Sequence, residues 1–191
     1  MIDAALSHLA GQLNEHLRRR FQVDEDLAVL SNLHELNGSL VPLVANKLVL
    51  FLAGVERDSM AHRAGNAPGL SPTPALQSPA PVYLNLLLMC AANFSGSNYP
   101  EALKFLSGAI SFFQSHPVLD HQNSPGMHEG LERLILNIEN LSSSEMHSLW
   151  GIHSGRYLPS VLYRVRMVSV EGSHIEVRLP RVQQIDTRGL S

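Results

Sequence analysis

Leu149 to Val170 reads LWGIHSGRYLPSVLYRVRMVSV. This stretch decides the fold, because a helix end, a proline break and a long alternating strand follow one another inside it. From Tyr163 onward, Tyr163, Val165 and Met167 share one face and Arg164 and Arg166 the other, the period-2 pattern of a half-buried strand. Just upstream, Ser142 and Glu145 have capping-box spacing, which predicts a short helix over Ser143 to Ile152. Trp150 then reads as a core plug at the end of that helix. Nothing in the stretch marks a catalytic site. Its outward arginines leave two readings open: solvated charges on an antiparallel or edge strand, which discourage unwanted pairing, or a contact row for an acidic partner.

Working outward, Ile2, Leu6, Leu9, Leu13 and Leu17 recur at steps of three and four, predicting a first helix from Ile2 to Phe21 that lies on a sheet. Leu27 to Ser31 is a short strand and Asn37-Gly38 a turn. Lys47 to Val55 and Val82 to Ala92 are strands apolar on both faces, as expected of central positions covered on two sides. Ser97, Asn98 and Pro100 supply helix-start signals, and the apolar stripe from Ala102 to Phe113 carries that helix to Ser115 across a sheet face. His116 to Gly130 is an irregular connection, and Leu134, Leu136 and Ile138 mark a further strand.

Residues 57–80, with Gly65, Gly69, Pro68, Pro72, Pro74 and Pro79, read as a flexible loop too poor in apolar side chains to fold by itself. The sum is an α+β domain over residues 1–170: a mixed, largely antiparallel sheet of about five strands with two long helices and one short helix packed on it. Residues 171–191 form a C-terminal extension, with a weak strand at His174 to Leu179. Only the unit through Ser97 to Ser115 is long enough for a parallel crossover, which sets aside a doubly wound fold.

With 191 residues, 45% hydrophobic and 16% charged, the chain is long enough for one well-packed core. The net charge of −3 is unevenly spread. After residue 155, Arg156, Arg164, Arg166, Arg178, Arg181 and Arg188 stand against only Glu171, Glu176 and Asp186, an excess of +3. The single cysteine, Cys90, sits in an apolar run, excludes an internal disulfide and reads as a buried, inert thiol of a reducing compartment. The N-terminus lacks the pattern of a secretory signal, and no segment is long and apolar enough to span a membrane.

Candidate chemistry is thin. His116, Asp120 and His121 offer the ligand types of a zinc or iron site, the basis of an alternative reading as a metal-dependent enzyme. Their spacing matches no helical ligand motif and Pro117 breaks regularity, so a local loop role competes. No Gly-x-Ser-x-Gly elbow, dinucleotide fingerprint or phosphate loop is present, and no cofactor is indicated. Arg18, Arg19 and Arg20 are followed at once by Asp24, Glu25 and Asp26. That suits a solvated helix C-terminus better than a nucleic-acid surface.

Six blocks taken in order carry a family resemblance: MIDAALSHLAGQLNEHLRRRF at the start, NKLVLFLAGVERD, PVYLNLLLMCAANFSGSNYPEALKFLSGAISFFQ, HPVLDHQN, LILNIENLSSSEMHSLWG and YLPSVLYRVRMV. From Ile2 to Val170 the chain resembles the cap, or tail-terminator, family of bacterial contractile injection systems, the phage-tail-like particles of the antifeeding prophage and Photorhabdus virulence cassette type. It departs from the family in the loop at 57–80 and in the tail after Val170, where some members carry an added C-terminal region.

The resemblance implies a non-enzymatic protein that forms a hexameric ring on the distal end of the inner tube and sheath and ends their polymerisation. It implies assembly in the cytoplasm followed by residence in the particle. The partners it implies are further copies of the chain, the sheath protein and the tube protein, with neither nucleic acid nor membrane. On that basis the sheath contact is expected in the basic C-terminal part, at Arg164, Arg166, Arg178, Arg181 and Arg188, with the tail adding a strand to a sheath subunit. Contact between subunits is expected at the flanks of the sheet and the first helix, and tube contact in loops such as 57–80.

Overall fold

Tyr163, Val165 and Met167 are fully buried on one face of a strand that lies in the middle of a six-stranded sheet. A computed structural model describes residues 1–35, 37–58, 82–152 and 156–169. In chain order the elements are α1 (Ile2–Phe21), β1 (Ala28–Leu30), β2 (Lys47–Arg57), β3 (Val82–Asn93), α2 (Tyr99–Ser115), β4 (Val118–Asp120), β5 (Leu131–Glu139), α3 (Ser143–Ile152) and β6 (Ser160–Ser169). The spatial order is β1-β2-β3-β6-β5-β4. The sheet is mixed and largely antiparallel, with β1 and β2 as the parallel pair among the described residues.

The sixth strand is β4, inside the stretch that the sequence leaves irregular. It pairs with Arg133 to Ile135 of β5. The parallel pair also differs from expectation. β4 runs opposite to β3, so α2 carries the chain across the face to the far edge without making a parallel crossover. β1 and β2 are instead joined by residues 31–46, a link long enough to reverse direction twice. Within it, Gly38 at φ +82° turns the chain beside a single antiparallel bridge from His34 to Leu40.

Alternation along β2 and β3 feeds two cores. Leu48, Leu50, Leu86, Leu88, Cys90 and Ala92 pack with the buried stripe of α1 and with Ala102, Leu106, Ala109, Phe112 and Phe113 of α2. On the other face Val49, Phe51, Met89, Ala91 and Leu162 meet Leu33, Val44 and Trp150. Trp150, 4% exposed, is thus the plug expected at the end of α3. Each fully buried leucine contributes about 1.5–3 kcal/mol relative to exposure.

Helix ends follow the sequence signals. Ser142 N–H donates to Glu145 Oε2 at 2.8 Å and Glu145 N–H to Ser142 Oγ at 3.3 Å, a capping box. α1 ends at Gln22 in the left-handed conformation, its N–H bonded to Arg18 O. Gly108 lets α2 approach α1: a Cβ there would lie 3.1 Å from Leu17 Cδ2 and from Phe21 Cε2.

Candidate interface surface

The face of the sheet that carries α3 is apolar only at one end. At the other end the register sets Gly54, Leu87, Arg164 and Asn137 in one row, and Glu56, Asn85, Arg166 and Ile135 in the next. Arg164 Nε donates to Glu139 Oε2 at 2.8 Å and Nη1 donates to Glu56 Oε2 at 2.6 Å, so one guanidinium ties β6 to the strand beside it and to β2 beyond β3. These bonds, that to Glu139 first, push the Arg164 pKa up further, and the hydrogen bond from Arg164 holds the Glu139 carboxyl below the usual carboxylate range. Arg166 Nε pairs with Asp58, which is 5% exposed and follows directly on β2.

This geometry changes how the C-terminal charge reads. Along the chain β6 opens a basic segment, but in space its two arginines sit among three carboxylates, Glu56, Glu139 and Asp58. β6 is an interior strand with neighbours on both sides, not an edge strand. Arg164 and Arg166 are engaged within the chain, and a part in a partner contact remains a proposal for them. Arg178, Arg181 and Arg188 lie outside the described residues, as do most of the loop at 57–80 and the strand expected at His174 to Leu179. Of the 57–80 segment, Arg57 still belongs to β2 and Asp58 is buried.

The structure does not bring His116, Asp120 and His121 together as ligands. His116 Nδ1 lies 3.1 Å from Phe112 O and its ring packs against Phe112. Asp120 Oδ1 accepts the N–H groups of Gln122 and Asn123 at 3.0 and 3.1 Å, and His121 Nε2 lies 2.7 Å from Leu131 O. Among the described residues no group of three or more His, Cys, Asp or Glu could hold a metal ion. A cleft of about 360 Å³ at the C-terminal ends of α1 and α2 is lined by His16, His116, Arg19, Arg20, Gln12, Asn123, Phe112 and Leu119. Its wall offers two imidazoles and no carboxylate or thiolate, short of the three protein ligands of a zinc site and without the carboxylates of a hard-cation site. Burial holds His16 below its ordinary pKa.

Other polar positions are structural. His8 Nε2 lies 2.7 Å from Ser124 Oγ, but Ser124 is fully buried, so the pair is closed to a substrate. Burial pushes the Cys90 thiol up to about 12, the inert state expected of it. Arg18 and Arg19 pair with Asp26 and Glu15 at 2.9 Å, completing the solvated end of α1. No helix among the described residues is long and apolar enough to cross a membrane.

Against this geometry the family comparison is decisive. The Pvc16 N-terminal domain family matches residues 4–184. The chain belongs to that family. Two solved structures share the fold seen here. One is the sheath/tube terminator of the PVC extracellular contractile injection system in its extended state, with a TM-score of 0.58 and 14% identity over 100% of this chain and 65% of that one. The other is the tube-terminating cap of the anti-feeding prophage, with a TM-score of 0.55 and 13% identity over 93% of this chain and 59% of that one. The present chain therefore spans about three fifths of the length of the solved chains it matches. No curated protein is significantly similar in sequence.

What the sequence missed at this surface is the set of carboxylates around the two arginines. Glu56 and Glu139 each stand near the end of a strand, a signal that charge is tolerated there, but which arginine they meet depends on register.

Proposed function

We propose that this chain is the ring-forming domain of a tail terminator of a contractile injection system. Copies close into a hexamer on the distal end of the inner tube and sheath and stop the growth of both. Membership of the Pvc16 N-terminal domain family across residues 4–184 carries this reading, and the terminator and cap that share the fold support it. The physical logic is one of surfaces. Each disc of a tube or sheath offers a heterologous face to the next, and a closed ring that binds such a face without regenerating it ends the polymer.

The role is structural, without turnover. The ring assembles in the cytoplasm and stays in the finished particle. The contact to the sheath runs through the basic C-terminal part, at Arg164, Arg166, Arg178, Arg181 and Arg188. Particles purified from cells lacking this protein are expected to have overlong or unstable tails when imaged. Tails of normal length and sheath state refute the terminator reading.

A further inference from the structure

Both margins of the sheet finish in three-residue strands, and at each an asparagine takes up two of the outward main-chain groups. At β1, Asn14 Nδ2 donates to Ala28 O and Ala28 N–H donates to Asn14 Oδ1, both at 2.8 Å. At β4, Asn123 Nδ2 donates to Val118 O at 2.9 Å and Asp120 N–H donates to Asn123 Oδ1 at 3.0 Å. Amides used this way occupy groups that would otherwise template another chain.

β2 is treated differently. β1 covers it only at Leu48 to Leu50, yet β2 runs on to Arg57. Among the described residues, Leu52 to Glu56 have no strand on their outer side. A register shift at Ala53 sets Leu52 opposite Leu88 and Val55 opposite Leu86, so both side chains point to the same face. They are 37% and 46% exposed. An open edge with two apolar side chains on one face fits an extended segment with apolar residues at alternate positions.

The geometry points to a strand-addition site on the outer edge of β2, from Leu52 to Glu56, filled by residues 174–179 of a neighbouring copy of this chain. The inference rests on the ring reading above. In that segment Ile175, Val177 and Leu179 alternate with His174, Glu176 and Arg178. Its point of departure also fits: β6 ends at Ser169, opposite Val82, at the same end of the sheet as Arg57.

Reach weighs against the chain's own tail and in favour of a neighbour's. From Ser169 to His174 the backbone spans about 17 Å at full stretch. Passing β3 and β2 to a place outside β2 takes about 14 Å sideways, before the chain has turned back along β2. The chain's own tail would need a taut, straight path over the strand ends, beside the point where the chain leaves β2 at Asp58. A neighbour approaches from the open side without that limit. This assigns the strand-forming part of the tail to the ring and leaves Arg181 and Arg188, which follow it, to the sheath.

The test uses two differently tagged versions of the full chain, one with Val55→Cys and the other with Ile175→Cys, Val177→Cys or Leu179→Cys. The buried Cys90 does not compete. A disulfide joining the two tags is expected at one of the three positions. Val177→Pro, which removes a ladder donor, is expected to weaken association about tenfold with an unchanged melting temperature. Rings of normal size by mass photometry without any cross-chain disulfide overturn this inference and leave the ring reading standing. A disulfide formed within one chain of the Val55→Cys, Val177→Cys double variant overturns the assignment to a neighbour. Monomer at every concentration, with no cross-chain product, refutes both.

Discussion

Asn14→Leu is expected to cost about 3 kcal/mol of stability. Asn14 is 6% exposed and stands in the apolar stripe of α1, where the rest of the buried positions are Ala or Leu. Its amide satisfies both the N–H and the C=O of Ala28, itself 3% exposed. Leucine is similar in size and keeps water out, so both main-chain groups lose their partner. Each buried orphan costs about 1–3 kcal/mol, offset in part by the gain in apolar burial. For a chain of this length that lowers Tm by about 6–12 °C, read by calorimetry and by urea unfolding with an unchanged m-value. Asn14→Asp gives a second signature. A carboxylate at this site faces Ala28 O, so folding favours the protonated acid and raises its pKa. The deficit relative to the parent is then full at neutral pH and shrinks as pH falls through that raised value. If Asn14→Leu stays within about 0.5 kcal/mol of the parent, the view that this amide closes the β1 margin is wrong.

Three further outcomes follow from the same geometry. Gly108→Val pushes a branched side chain against Leu17 and Phe21, which a single Cβ would already approach to 3.1 Å; the forced separation of α1 and α2 is expected to cost about 1–3 kcal/mol, measured by urea unfolding. Arg164→Met frees Glu139, whose pKa the Arg164 hydrogen bond depresses. That stabilisation is present above the ordinary carboxylate pKa and is lost as pH falls through the depressed value, so the difference between parent and variant, under about 1 kcal/mol at so accessible a pair, is expected near neutrality and to vanish in acid. Cys90 is expected to resist alkylation at pH 8 in the folded protein and to react fully in denaturant, as read by mass spectrometry, because burial keeps its thiol protonated.

The long elements were legible because their periods are long. Five apolar residues at helical spacing delimit α1, and alternation from Tyr163 to Met167 identifies the face of β6 that is buried. β4 escaped notice because three residues show no period. It exists through contacts elsewhere in the sequence: pairing with β5 and the Asn123 amide. The parallel pairing of β1 with β2 was equally hidden, since alternation tells which face a residue takes but not which strand lies beside it. The same limit governs the interface. Arg164 and Arg166 were correctly placed opposite the buried row, but Glu56 lies 108 residues from Arg164 and Asp58 108 from Arg166, and only the folded register makes them partners.

The central place of β6 also sets a schedule. β3 and β5 are its two neighbours, so while the chain is being synthesised the sheet stays split into two halves until the last strand of the described fold has left the ribosome. Pairings this distant in sequence form slowly, and the unfilled gap between β3 and β5 is the kind of unpaired edge that invites aggregation. A partly made chain therefore has no complete sheet to offer a growing tube or sheath. On the proposed terminator reading this order of events is useful, because capping competence would arrive only with the finished sheet.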